Sequence, residues 1–388
     1  MTIAPGFTRC SAARHKLSLR VFAAALLLTA FILSSCSAQK SVETSPAALL
    51  PAEINYNNQL GGVDFFWAAD GCFYYEQDGF YNMGAYRSTG NAAKKLFESS
   101  DFASEEHGAG NLRGLYPYRG SLYFMARQEE CRSVLYRWDS ETGCCDPLFP
   151  VEPYARWLLC DGYLVTLAWS SGSKEGFFHS SIISYELQSG ERTVICPDAE
   201  VIGLAEGELR YICFDGKYEL FRYDLAAGQA ESLGRFPLLF EPDQYHYAYS
   251  TFNFTKDAVV MYSNNRRDSR ELIVFRPSSG ILKSYTMPFE IHRLAAAGNS
   301  AYLLLYDAEE FSSASTRNEK NGLYRVNLID GSISFLKHKE TLGSVSQLYV
   351  ASEDCLLWVE GHLRILGFWR TVSFLSPETG KTLRTFHI

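Results

Sequence analysis

One ten-residue stretch, Glu219-Leu220-Phe221-Arg222-Tyr223-Asp224-Leu225-Ala226-Ala227-Gly228, recurs in imperfect copies along most of the chain. The copies span 83–90, 135–143, 182–190, 220–228, 272–280, 323–331 and 372–380, each ending on a glycine. In each, apolar and polar side chains alternate, as in Leu323-Tyr324-Arg325-Val326-Asn327-Leu328. That is the pattern of a pleated strand with two unlike faces. The closing glycine suits a turn that needs a positive φ. Upstream of most copies lies a turn followed by an aromatic-rich strand, as in Asp70-Gly71-Cys72-Phe73-Tyr74-Tyr75 and Glu206-Gly207-Glu208-Leu209-Arg210-Tyr211. A further strand precedes that turn (Val201-Ile202-Gly203-Leu204), and a fourth follows the glycine (Glu231-Ser232-Leu233). The unit is therefore four short antiparallel strands.

The turn glycines recur every 38 to 53 residues. That period and a four-stranded unit point to the blades of a β-propeller. The fold class is all-β, with seven four-stranded blades starting near 62, 112, 154, 200, 245, 290 and 344; six or eight blades are the alternatives. Copies one and five are the most degenerate, and Pro277 stands at the usual Asp position of the fifth. The last unit supplies its own outer strand from Lys381-Thr382-Leu383-Arg384-Thr385. Ring closure then rests on packing of the last blade against the first, without an exchanged strand.

Residues 1–36 stand apart as a targeting segment. Arg9, Arg14, Lys16 and Arg20 form a basic region, followed by an apolar run over 21–33 and Leu33-Ser34-Ser35-Cys36. The run is too short for an ordinary spanning helix. Position, apolar run and cysteine together resemble a bacterial lipobox. The resemblance implies cleavage before Cys36 and its lipidation, so the mature chain is anchored to the outside of a bacterial cell membrane without spanning it. Neither leaflet nor membrane is specified. Residues 37–56 read as a flexible tether and 57–388 as the propeller.

Without the four basic residues of 1–36, 32 basic face 44 acidic side chains, a net charge of −12. Nucleic-acid partners need a basic footprint and are excluded as an expectation. The lipid anchor is then the expected contact with the membrane, and a monomer the expected state. The repeat is long enough to bury a large core unaided. Eight cysteines remain outside the first segment, with no C-x-x-C pair that would signal zinc or a redox dithiol. Most fall inside expected strands, where a thiol is a small apolar residue. Cys131, Cys144 and Cys145 sit at turns and are the better disulfide candidates.

Loops joining the second and third strands share a face with the segments that join blades, and long loops on a rigid scaffold collect binding residues. Three are long: 170–180, with Phe178 and His179; 263–270, with Arg266 and Arg267; and 307–321, with Phe311 and Arg317. Tyr245, His246 and Tyr247, between units four and five, could stack on a sugar or clamp a peptide. The plainer account of these three, an inner strand packed between blades, is the stronger. No G-x-S-x-G, H-E-x-x-H, P-loop or EF-hand pattern is present, so no catalytic residue, metal site or cofactor is expected. Trp138-Asp139 and Tyr223-Asp224 read as strand ends with turn hydrogen bonds.

The pattern Asp-Gly-x-Leu-Tyr-Tyr followed by Leu-Tyr-Arg-x-Asp-Leu-x-x-Gly resembles the degenerate WD40-like and quinoprotein-like propellers of bacterial exported proteins, including lipoproteins with domains of unknown function. The tryptophan docking motif of quinoprotein repeats is absent, so no quinone is implied. The expected function is a membrane-anchored, non-catalytic scaffold that holds a protein or carbohydrate partner on one propeller face. An exported glycan-active hydrolase or lyase, with its site at the channel mouth, is the alternative. A subunit of an envelope assembly is a third.

Overall fold

Strands whose two faces are both apolar must be covered on both sides, and this chain meets that demand by stacking sheets. The computed structural model describes residues 65–67, 73–77, 84–88, 93–98, 111–119, 121–127, 133–139, 141–169, 180–214, 217–237, 252–262, 270–306, 321–339, 343–352, 355–364 and 367–387. All belong to the unit Ala47–Ile388.

Their strands form seven four-stranded antiparallel sheets, each built from strands consecutive in sequence. The first holds β1 (Phe65–Trp67), β2 (Phe73–Gln77), β3 (Gly84–Ser88) and β4 (Ala93–Glu98). The second holds β5 (Asn111–Tyr118), β6 (Ser121–Arg127), β7 (Ser133–Trp138) and β8 (Cys145–Val151). The third holds β9 (Tyr154–Cys160), β10 (Tyr163–Trp169), β11 (Ser180–Glu186) and β12 (Arg192–Ala199). The fourth holds β13 (Val201–Ala205), β14 (Glu208–Phe214), β15 (Tyr218–Asp224) and β16 (Gln229–Phe236). The fifth holds β17 (Phe252–Phe254), β18 (Val259–Tyr262), β19 (Glu271–Arg276) and β20 (Ile281–Thr286). The sixth holds β21 (Glu290–Ala297), β22 (Ser300–Tyr306), β23 (Gly322–Asn327) and β24 (Ile333–His338). The last holds β25 (Gly343–Ser352), β26 (Cys355–Arg364), β27 (Gly367–Leu375) and β28 (Thr382–His387).

First strands of successive sheets lie side by side, β1 with β5, β5 with β9, β13 with β17, β17 with β21 and β21 with β25. The architecture is an all-β propeller of four-stranded blades. Six blades, β5 to β28, have side chains described along most of their strands, and these six carry the packing below. The count of seven adds β1–β4, where the described side chains are Lys95, Leu96 and Phe97. No strand is exchanged between the first and last sheets among the described residues. The described part of the fifth blade begins at Phe252, and the start expected near 245 falls within 238–251, outside the described residues.

Each seam between blades has its own apolar cluster. Leu158, Val165 and Ile182 of the third blade meet Ile202, Leu204 and Tyr211 of the fourth. Ile212 and Leu220 meet Phe252, Val259 and Met261 of the fifth. Val260, Leu272 and Val274 meet Ile291, Leu303 and Leu305 of the sixth, and Tyr302, Leu304 and Leu323 meet Leu356, Trp358 and Leu375 of the last. One larger cluster joins Leu357, Val359, Val372 and Phe374 of the last blade with Phe97, the second blade and the third. Phe97 stacks on Phe124 at a centroid distance of 4.7 Å and lies 6.4 Å from Trp138.

The turns repeat as faithfully as the strands. First and second strands of blades three and four are joined by two residues with positive φ, Asp161-Gly162 (50° and 87°) and Glu206-Gly207 (51° and 84°). This is the type I′ geometry whose twist matches the strands it joins. Third and fourth strands share another turn. Gly143, Gly190, Gly331 and Gly380 donate their N–H to Asp139, Glu186, Asn327 and Ser376 at 2.8–2.9 Å, with φ of 66–77°. Asp139 also accepts from the N–H of Glu141 and Thr142 at 2.8 and 2.9 Å, the role expected of Trp138-Asp139. In the fifth blade a 3₁₀ turn, Pro277–Ser279, does the same work, and Gly280 donates to the Pro277 carbonyl at 3.2 Å. Proline fits because the first helical position needs no N–H.

These turns also latch blades together. The Tyr285 hydroxyl, on the outer strand of blade five, donates to the Leu328 carbonyl at 3.1 Å, and Lys283 Nζ donates to Ile329 at 2.8 Å. The Tyr285 ring occupies the space a Cβ on Gly331 would need. Gly190 faces Phe149 of the preceding blade in the same way, and Gly380 faces the Leu336 carbonyl.

Three substitutions test this account. Gly331→Ala adds a collision to an unfavourable φ and should cost roughly 2–4 kcal/mol in urea unfolding. Gly143→Ala, with nothing within 4 Å of the added methyl, should cost about 1 kcal/mol. Phe97→Ala should cost about 3 kcal/mol or more if the first sheet seals the ring.

Candidate functional site

The residues that stand out chemically gather at the seam between the β21–β24 sheet and the last sheet, β25–β28, near the strand ends where one blade passes to the next. Four side chains define the group: His292 near the start of β21, Tyr306 at the end of β22, Lys339 just beyond β24, and Glu360 on β26. The segment 307–320 leaves directly after Tyr306.

A local irregularity places His292. Strands β21 and β22 pair Ile291 with Leu305, then Arg293 with Leu304, so His292 is the extra residue of a bulge. Bulges re-aim side chains and recur beside functional sites. The His292 carbonyl accepts from the Tyr262 hydroxyl at 3.3 Å and from Arg293 Nη1 at 2.8 Å. Its ring stands edge-on to Tyr306, with centroids 4.5 Å apart. Lys339 Nζ lies 4.6 Å from the Tyr306 centroid, a cation–π contact, and its backbone N–H donates to the Asn321 carbonyl at 3.1 Å.

Glu360 is 7% exposed, and its Oε1 has no hydrogen-bond partner among the described residues. A carboxylate oxygen in that position is an acceptor held ready for a donor. Burial pushes the Tyr306 hydroxyl well above the usual phenol range, and the Glu360 charge adds to the effect. Burial lowers the Lys339 ammonium, while Glu360 partly restores it. Burial first, then the charges of Arg293 and Lys339, hold His292 below the ordinary imidazole range. The group combines a neutral imidazole, a cation over an aromatic ring and a buried acceptor. Such a set can hold a polar ligand that offers both donors and negative charge.

The residues singled out from sequence lie outside the described residues: Cys36, Phe178, His179, Tyr245, His246, Tyr247, Arg266, Arg267, Phe311 and Arg317. The structure neither gathers nor separates them. The four residues of the observed group carry no motif. One signal was readable: Glu360 follows Leu356-Leu357-Trp358-Val359, an acid at the end of an apolar run inside a strand. Among the described residues, no group of three or more His, Cys, Asp or Glu could hold a metal ion, and no helix is long and apolar enough to cross a membrane.

No family model matches the chain, and no curated protein matches it. Solved structures do. A prolyl endopeptidase aligns with a TM-score of 0.56 at 13% identity over 86% of this chain and 51% of its own. Oligopeptidase B from Leishmania major aligns with a TM-score of 0.53 at 12% identity over 86% and 49%. A computationally designed protein, Ika8, aligns at 0.50 and 12% identity over 87% and 90%. The chain spans about half the length of the two peptidases. At such identities the likeness concerns the fold alone.

The state of His292 has a consequence for stability. Its folded pKa is depressed, so below the unfolded value of about 6.5 the unfolded chain takes up a proton that the folded chain resists. The stability it contributes is present above that value and is lost as pH falls through it toward the folded pKa. Thermal melts from about pH 8 to about pH 5 should show a steeper loss in wild type than in His292→Gln.

Proposed function

We propose that this chain is an exported bacterial lipoprotein, anchored through Cys36, whose propeller acts as a non-catalytic binding module. On this reading β1–β4 is a seventh blade, and residues 37–56 tether the ring to the membrane. The contact face is the one bearing the long loops, centred on His292, Tyr306, Lys339 and Glu360. The partner is a protein or a glycan that supplies hydrogen-bond donors to Glu360 and an anionic or polar group to Lys339. The observation that carries the reading is the buried acceptor of Glu360 beside a Lys339 ammonium on an aromatic ring, next to the longest loop.

A glycan-active hydrolase or lyase is the second reading, favoured by the grouping of His292, Tyr306 and Arg293. Binding is preferred on chemical grounds. Most glycoside hydrolases use two carboxyl groups about 5–9.5 Å apart, and the described group contains one. A phenol pushed upward by burial is also a poor base near neutral pH.

The test is a cross-linked pull-down of tagged full-length protein from native membranes, read by mass spectrometry, with Cys36→Ala as the anchoring control. A specific partner should be recovered, weakened at least tenfold by Glu360→Gln or Lys339→Ala, and lost when 307–321 is shortened. Turnover of a glycan by purified protein, abolished by Tyr306→Phe, would replace this reading with the enzymatic one.

A further inference from the structure

Among the described residues, a close approach of two thiols falls away from the turns at which Cys131, Cys144 and Cys145 sit. Cys131 lies outside the described residues, and Cys144 is an exposed thiol 3.8 Å from the Thr142 carbonyl. Instead Cys196, on the outer strand β12 of blade three, and Cys213, on β14 of blade four, bring their sulfurs to 3.0 Å. The two residues are half-buried at the edge of the cluster that fills this seam. Strand β12 shifts register beside Cys196, where Ile182 faces Cys196 and Ile183 faces Val194.

We propose that Cys196 and Cys213 are a site of oxidative cross-linking, and that their disulfide joins blades three and four. The proposal stands on geometry and does not depend on the binding reading. The surroundings suit the chemistry. The contact with the Cys213 sulfur lowers the Cys196 pKa to about 7. The same contact, with burial, keeps Cys213 protonated. Cys196 is therefore the thiol of the pair that ionises first, and its thiolate is the attacking form. The deeper thiol, Cys160, is pushed up to about 12, chiefly by burial, and stays inert.

The co-reactant is a disulfide of another thiol, either a small-molecule disulfide or that of a thiol–disulfide oxidoreductase. The Cys196 thiolate attacks one of its sulfurs and expels a thiolate, leaving a mixed disulfide. Cys213 then loses its proton to solvent and attacks the Cys196 sulfur, expelling the second thiolate. Two protein thiols are oxidised and one external disulfide is reduced to two thiols. The link closes a short loop across a blade seam, which restricts the unfolded chain and resists separation of the two blades.

The experiment uses the full-length wild-type protein in detergent. It is incubated in a glutathione buffer rich in the oxidised form, alkylated with iodoacetamide and digested with trypsin. Cleavage after Arg192, Arg210 and Lys217 places Cys196 in peptide 193–210 and Cys213 in peptide 211–217. The expected result is one cross-linked species of these two peptides, abolished by prior reduction. The thermal midpoint should also rise by a few degrees on oxidation in wild type and stay unchanged in Cys196→Ala/Cys213→Ala. Recovery of both peptides singly alkylated from folded, oxidised protein would overturn the proposal. So would pairing of either cysteine with a different protein cysteine. Peptide mapping of wild type decides the matter even if the double variant folds poorly.

Discussion

A strand buried on both faces cannot end at water, and that constraint organises the whole ring. Every residue of β13, β18 and β22 is buried. An isolated blade would expose one of those faces, at roughly 25 cal/mol per Å² of apolar surface. Each blade is therefore stable only between two neighbours, and the seams succeed one another around the molecule. The cluster that joins the last blade with Phe97 and the second and third blades is the same interaction repeated where the chain meets itself.

The candidate site inherits its geometry from that packing. His292 leans on Tyr306 because a bulge in β21 displaces one residue, and the Tyr262 hydroxyl of the neighbouring blade holds its carbonyl. Glu360 is buried at the seam between the β21–β24 sheet and the last sheet. The same low-dielectric surroundings shift His292, Tyr306 and Lys339 away from their ordinary titration ranges. On the proposed reading, this group on a frame of packed sheets would be the point where a partner is recognised.

The turns show how sequence becomes tertiary order. Residues such as Asp161-Gly162 and the Gly331 turn need positive φ, and they occur where strand pairs reverse. Gly331 answers a second demand that its own unit does not reveal, because the ring of Tyr285 from the previous blade fills the space beside it. Pro277 looked like a defect in the fifth copy, yet it opens a 3₁₀ turn that delivers Gly280 to the same left-handed corner.

The sequence alone determined the four-stranded unit, its phase and most blade starts, because alternation and turn chemistry are local properties. It also led to an expectation of seven units, of which six are shown as packed blades by their described side chains. Contacts between blades lay beyond it. The meeting of His292, Tyr306, Lys339 and Glu360, and the approach of Cys196 to Cys213, join strands from different blades or on either side of a loop. Their proximity depends on the angle and offset at which successive sheets stack. Those are set by the fit of Leu, Ile, Phe and Trp side chains across each seam, and no local periodicity encodes that fit.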